Sequence, residues 1–242
     1  MRTISKLQGP TLRPAGLLAR LACLFFALMP ALALAQGGRP QVGFIRLVNA
    51  VGPGTGNTKL LIDGENMYPK GYKLGQRTGG IGLEAGSKKI TVSKEGVEEG
   101  STTLNVEAGE TISLVAFAEK IPADKDKPER WGVKILRLKQ RAQEKGFRMT
   151  VLSVCRNPEV LFETSIQGKD KPEGASVKRM MTTTIDLGNA GGDVTVRLRN
   201  PQKILTSFRP DDPGNYVLVI YDGADGEVQS LYFYDPKFVI AG

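Results

Sequence analysis

Apolar and polar residues alternate strictly through several stretches after Pro40. Val194, Val196 and Leu198 point one way while Thr195, Arg197 and Arg199 point the other, and Ile90 and Val92 alternate with Lys89, Thr91 and Ser93. A period of two marks antiparallel strands with one buried face. Other runs are apolar almost throughout: ISLVAFA from Ile112 to Ala118, broken only by Ser113, and YVLVIY from Tyr216 to Tyr221. Their brevity, their β-branched and aromatic content and the flanking glycines predict strands covered on both faces rather than helices. Turn dipeptides separate the runs, among them Asp63-Gly64, Gly79-Gly80, Ala85-Gly86, Ala108-Gly109, Pro213-Gly214 and Asp225-Gly226. Glycine supplies the positive φ that such tight turns need. The best helical stretch, Lys139 to Lys145, amounts to one or two turns. The pattern predicts an all-β protein of the sandwich or barrel kind.

The pattern also repeats. Phe44 opens FIRLVNAV and Phe147 opens FRMTVLSV 103 residues later, and Ile90-Thr91-Val92 matches Val194-Thr195-Val196 after 104. Gly109, before ETISLVAF, matches Gly214, before NYVLVIY, after 105. Separations this constant imply a duplicated unit of roughly 100 residues, the usual size of an immunoglobulin-like β-sandwich. The charged segment EKIPADKDKPER, 119–130, reads either as a linker or as a long hairpin loop. WGVKILRL, Trp131 to Leu138, has strand character and can close the first copy. The boundary is therefore set near Arg141: a first β-sandwich domain over 40–141 and a second over 142–242. One continuous sandwich with a long loop is the competing arrangement.

The first 35 residues differ from all of this. They carry Arg2, Lys6, Arg13 and Arg20, no acid, and then a 14-residue apolar run from Leu21 to Leu34. The small residues Ala33 and Ala35 precede Gln36, as a signal peptidase requires, so 1–35 reads as a cleaved signal peptide. The run is shorter than the about 20 residues that span a bilayer, so no transmembrane anchor is expected. A lipoprotein reading through Cys23 fails because that cysteine lies inside the apolar run. Loss of the leader takes the net charge from +8 to +4, which weakens any case for a polyanion partner built on whole-chain basicity. It also leaves Cys155 as the one cysteine, with no intramolecular disulfide possible. Cys155 ends the apolar run TVLSVC, where a small buried hydrophobe is the expected role.

Composition then restricts the chemistry. The chain has no histidine, which excludes imidazole-based nucleophilic triads and HExxH zinc sites. Asp222, Asp225 and Glu227 form a weak candidate calcium set, but Asp-Gly is also the expected hairpin turn there, and the spacing is not that of a twelve-residue calcium loop. Between Asp124 and Arg148 nine basic residues face four acidic ones. Within that stretch Trp131, Lys134, Arg137, Lys139 and Arg141 are the candidate residues for holding a polyanion by stacking and ion pairing. A solvated strand edge defended by lysine is the competing account. GQRTGGIG, Gly75 to Gly82, lacks the Gly-Lys-Ser/Thr ending of a phosphate loop and reads as a loop or strand edge. The acids of EGVEEG, Glu95 to Gly100, read as a solvated turn rather than as a glycosidase pair. No cofactor is expected, and export together with the missing recognition elements argues against nucleic acid.

Arg46-Leu47-Val48-Asn49-Ala50, then Asp63-Gly64, then Gly109, Thr111, Leu114, Val115 and Ala116 resemble the secreted bacterial domain-of-unknown-function family 4397. Its members open with an Arg-Leu/Val-Val-Asn-Ala strand, turn at Asp-Gly and end with a Gly-x-Thr/Tyr-x-Leu-Val-Ala strand. The second copy keeps only Gly214, Tyr216 and the apolar run, and departs at Thr150 to Ser153. The resemblance implies exported immunoglobulin-like sandwiches with no catalytic residue to carry over. Phe44, Arg46, Val48, Asn49 and Ala50 are also similar to the opening strand of the periplasmic accessory proteins of alginate O-acetylation, which implies an accessory role in exopolysaccharide modification. The combined expectation is a periplasmic or secreted, non-enzymatic binding or scaffold protein of the cell envelope. Its expected partner is an envelope protein or a polysaccharide.

Overall fold

The computed structural model describes residues 41–140, 145–188, 192–236 and 238. They form an all-β structure, and no helix occurs among them. The first half of the chain supplies β1 (Val42–Ala50), β2 (Thr55–Ile62), β3 (Glu65–Asn66), β4 (Ile81–Glu84), β5 (Gly86–Glu95), β6 (Val97–Val106), β7 (Thr111–Ile121) and β8 (Arg130–Lys139). The second half supplies β9 (Phe147–Ser153), β10 (Glu159–Ile166), β11 (Glu173–Lys178), β12 (Thr182–Gly188), β13 (Val194–Leu198), β14 (Lys203–Phe208), β15 (Gly214–Asp222) and β16 (Val228–Tyr234).

Both halves use the same strand order. The first pairs β3-β2-β5-β6 and β8-β7-β1-β4, joined by the single pair Glu98 and Gly132 into one eight-stranded sheet. The second pairs β11-β10-β13-β14 and β12-β9-β15-β16 as two separate sheets. In each, the first strand runs parallel to the seventh. Ile45 lies opposite Ile112 and Met149 opposite Tyr216, while Ile62 lies opposite Ile90 and Ile166 opposite Val194. All four positions are matched at a separation of 104. The sequence matches at 103 and 105 are each one residue out, and a one-residue slip would turn every side chain of the strand to the wrong face.

Local chemistry accounts for the connections. Asp63 and Gly64 both take positive φ, 50° and 88°, the geometry of a type I′ hairpin turn. Segment 119–130 holds a hairpin loop at 122–129 and the strand ends that flank it, since β7 and β8 stay paired out to Ile121 and Arg130. Only Gly96 separates β5 from β6, so Glu95 ends one strand and Val97 to Gly100, read from sequence as turn, opens the next. Lys139 ends β8 rather than opening a helical turn. Positions 141–144, and with them Arg141, and 1–40, on which the expected signal peptide falls, lie outside the described residues.

The apolar side chains fall into three cores. Ile45, Leu47, Leu60, Ile90, Val92, Ile112 and Leu114 fill the space between the two layers of the first half. Met149, Val151, Phe162, Val196, Leu218 and Ile220 do the same in the second. A third core contains Val48, Ala50, Val115 and Phe117 of the first half with Leu152, Val154, Val217, Val219, Tyr221 and Phe233 of the second. Strands β1, β7, β9 and β15 therefore send alternate residues into two different cores. That is why YVLVIY and, apart from the buried Ser113, ISLVAFA carry no polar alternation: a strand with two buried faces has no solvent face for polar residues.

A buried ion pair crosses the joint. Arg46 of β1 donates to Asp235, just after β16, at 3.0 Å, with side chains 1% and 2% exposed. The guanidinium also lies 4.8 Å from the Phe233 ring centroid and 4.9 Å from that of Phe238. Burial pulls both partners toward neutrality, lowering the Arg46 pKa and raising that of Asp235, while their mutual attraction opposes it. The Gln140 amide donates to the Pro236 carbonyl at 2.8 Å, and Phe238 packs on Phe44. The segment after β16 thus returns to the first half and closes over the pair.

Because the halves share a core, damage to one should be felt in the other. Leu152→Ala, on β9, is expected to cost about 2–5 kcal/mol. Urea unfolding followed through the fluorescence of Trp131, on β8, should register that loss in full as a single transition. Arg46→Met, which strands a buried carboxylate, is expected to cost about 3–5 kcal/mol, whereas Arg46→Met combined with Asp235→Leu should recover most of it. A double-mutant cycle of unfolding free energies measures the difference.

Candidate functional site

A cleft of about 220 Å³ opens at the edge of the third core. The first half contributes Ala50, Gly52, Pro53, Phe117, Ala118 and Trp131, and the second contributes Val154, Arg156 and the turn from Asp222 to Gly226. Its floor depends on close approach. A β-carbon on Gly52 would come within 2.6 Å of the Asp222 carbonyl oxygen and 2.8 Å of that of Gly223, so only glycine lets the β1–β2 loop touch the β15–β16 turn. Lys94 braces that loop, its Nζ donating to the carbonyls of Val51 at 2.7 Å and Gly52 at 3.1 Å. Burial lowers the Lys94 pKa.

The polar groups are held by backbone and by one another. The Arg156 amide donates to Asp222 Oδ2 at 2.8 Å, and its Nε donates to the same oxygen at 3.2 Å. Asp225 Oδ1 accepts the Glu227 amide at 2.9 Å, an Asx turn within the hairpin. The Glu227 carboxylate pairs with Lys203 at 2.8 Å. Trp131 stands opposite Lys120 of β7, and the Lys120 Nζ and Arg156 Cζ lie 5.6 and 5.9 Å from its ring centroid. Near the rim Arg179 pairs with Glu119 across the joint at 2.9 Å and donates to the Cys155 carbonyl at 3.0 Å.

The structure thus joins Trp131 to Asp222 and Asp225, which the sequence had placed in two separate candidate sets. It does not gather the basic residues beside them. Lys134 is exposed opposite Phe117, and Arg137 stands opposite Leu114, where it pairs with the Glu110 carboxylate. Three residues apart on a strand, these two point to opposite faces. Lys139 pairs through its backbone with Ile112, and Arg141 lies outside the described residues. Asp222, Asp225 and Glu227 each engage a different group. Among the described residues no three acidic or cysteine side chains group as metal ligands.

Arg156, Phe117, Pro53 and Gly52 were not singled out from the sequence. Only the unbroken apolar runs pointed to them, because a second buried face implies a second contact surface with an edge of its own. Two residues of the opening motif prove architectural. Arg46 makes the joint ion pair. The buried Asn49 side chain donates to the Tyr72 and Lys73 carbonyls, each at 3.0 Å, and accepts from the Val51 amide and the Thr58 hydroxyl.

Cys155 is fully buried in the second core and occupies the place that Val51 holds in the first half. Burial, with the Asp222 charge adding to it, pushes its thiol pKa up to about 12, and thiols react as thiolates. A chain beginning at Gln36, which retains Cys155 and lacks Cys23, should therefore leave an aromatic disulfide reagent unreacted at neutral pH and release one equivalent of chromophore only on addition of denaturant. Following absorbance during the addition checks this.

No protein-family model matches the chain, and no curated protein matches it.

Proposed function

We propose that this chain is an exported, non-enzymatic binding or scaffold protein of the cell envelope, built as two tandem β-sandwich domains over 40–141 and 142–242 behind a signal peptide at 1–35. Each half has the size and layering of an immunoglobulin-like module, with a strand order of its own. The first strand lies between the seventh and the fourth rather than beside the second. The observation that carries the reading is the cleft at the shared core. A site whose walls come from two modules fixed to each other by a buried core and an ion pair is preformed, and preformed concave sites at module junctions are where binding proteins hold ligands.

The chemistry available agrees with binding. The chain has no histidine, its Cys155 thiol is protonated and buried, and the cleft carboxylate Asp222 is already engaged by Arg156. An aromatic wall beside fixed hydrogen-bonding groups recognises a partner without activating a nucleophile.

Expression of the whole chain with a C-terminal tag in a Gram-negative host tests this. The expected product lies in the periplasmic or extracellular fraction, begins at Gln36 by mass spectrometry, and turns over neither ester nor glycoside substrates. Retention of residues 1–35 in the cytoplasm, or saturable hydrolysis by the purified protein, overturns it.

A further inference from the structure

The structure assigns the cleft a ligand class: we propose that it holds one uncharged pyranose ring of a glycan. The inference rests on the reading of the chain as a binding protein and narrows what that site binds.

The argument starts from complementarity. Asp222 and Arg156 stand side by side, linked through Nε and Oδ2 at 3.2 Å. A carboxylate only accepts hydrogen bonds and a guanidinium only donates them. A ligand that meets both at neighbouring positions must offer groups able to do either, and vicinal hydroxyls do so at the spacing of one sugar ring. Asp225 adds a second carboxylate held in place by its own turn. Trp131 and Phe117 supply an apolar wall from the other half, against which the C–H face of a pyranose can lie. The cleft volume, about 220 Å³, falls below the roughly 300–1,000 Å³ of pockets that take larger ligands, and suits a single ring.

Charge narrows the class further. Lys120 and Arg156 lie within 6 Å of the Trp131 ring, while Asp222 and Asp225 line the same cleft. Lys120 is already paired with Glu129 and Arg156 with Asp222, so an ammonium ligand would have to compete with those cations for their carboxylates, and a uronate with those carboxylates for their cations. An uncharged ring meets neither penalty. Lys134 and Arg137, on opposite faces of β8, add no positive stripe that would draw a polyanion into the cleft.

Because the chain has a single tryptophan and that residue lines the cleft, intrinsic emission reads occupancy directly. The full mature protein is titrated with cellotetraose, maltotetraose and mannotetraose, and in parallel with tetramannuronate and tetralysine, at low and at high salt. The expected result is a saturable emission change with at least one neutral tetrasaccharide, insensitive to salt. Asp225→Asn keeps the turn's hydrogen bond but replaces the other acceptor oxygen with a donor, and should weaken binding about tenfold with an unchanged melting temperature. Trp131→Ala, followed by calorimetry, should abolish it. The proposal falls if no neutral probe gives a saturable change. It falls equally if binding survives both substitutions, or if tetramannuronate or tetralysine binds more tightly. Chromatography of the recovered sugar separates the two readings: cleavage of a bound probe overturns the non-enzymatic function while leaving the site assignment standing.

Discussion

Four strands, β1, β7, β9 and β15, bury both of their faces, and the architecture follows from that. A strand in an ordinary sandwich contributes every second residue to a core and gives the rest to water. Here the alternate residues have a second destination. Ile112, Leu114 and Ala116 enter the first core while Val115 and Phe117 enter the third, and Leu218 and Ile220 enter the second core while Val217 and Val219 enter the third. Each parity of the sequence is thereby committed to a different neighbour. A polar substitution anywhere in these runs meets a buried environment, so register is specified more tightly than in a one-faced sheet.

The same constraint positions the cleft. If the two halves were joined only by the segment between β8 and β9, Trp131 and Asp222 would keep no fixed separation, because contacts between linked modules are ordinarily small and permit motion. The third core removes that freedom, and the approach of Gly52 to the Asp222 and Gly223 carbonyls sets the depth of the floor. The geometry of the cleft is thus a consequence of packing some distance from it. The groups that look most chemical at the joint, Arg46 and Asp235, are part of the packing rather than of the site.

Much of this could be read from the residues before any coordinates. The period-two alternation of β5 and β13, the Asp63-Gly64 turn and the duplication all follow from local rules, because strands and tight turns are written in nearest-neighbour chemistry. The continuous runs were read correctly as doubly covered, yet what covered them was not legible. Hydrophobicity records that a face is buried and carries no address for its partner. The cleft failed for the same reason. Trp131, Arg156 and Asp222 lie far apart along the chain and meet only through the third core. The polyanion set was drawn from neighbours in sequence, and a strand sends residues 134 and 137 to opposite sides. The repeat offset slipped by one residue at two anchors because glycine and phenylalanine matches carry no parity, whereas burial does: Ile45 and Met149 both face their own cores, at a separation of 104.

That offset bears on how the joint is built. Val48 and Ala50 of the first half correspond to Leu152 and Val154 of the second, and Val115 and Phe117 to Val219 and Tyr221, all of them in the third core. The two copies therefore meet through the same face, the arrangement of an isologous dimer written into one chain. A self-complementary apolar face has no intrinsic means of choosing between near-equivalent registers, and directional groups on it do. The correspondence breaks at just such groups: Arg46 is matched by Thr150, which donates its hydroxyl to Asn215 at 2.9 Å instead of meeting a charge. The first copy's arginine finds its carboxylate at Asp235, on the segment that follows β16. One ion pair, made on one side of a pseudo-symmetric contact, distinguishes a single docking of the halves from its alternatives, and the cleft exists only in that docking.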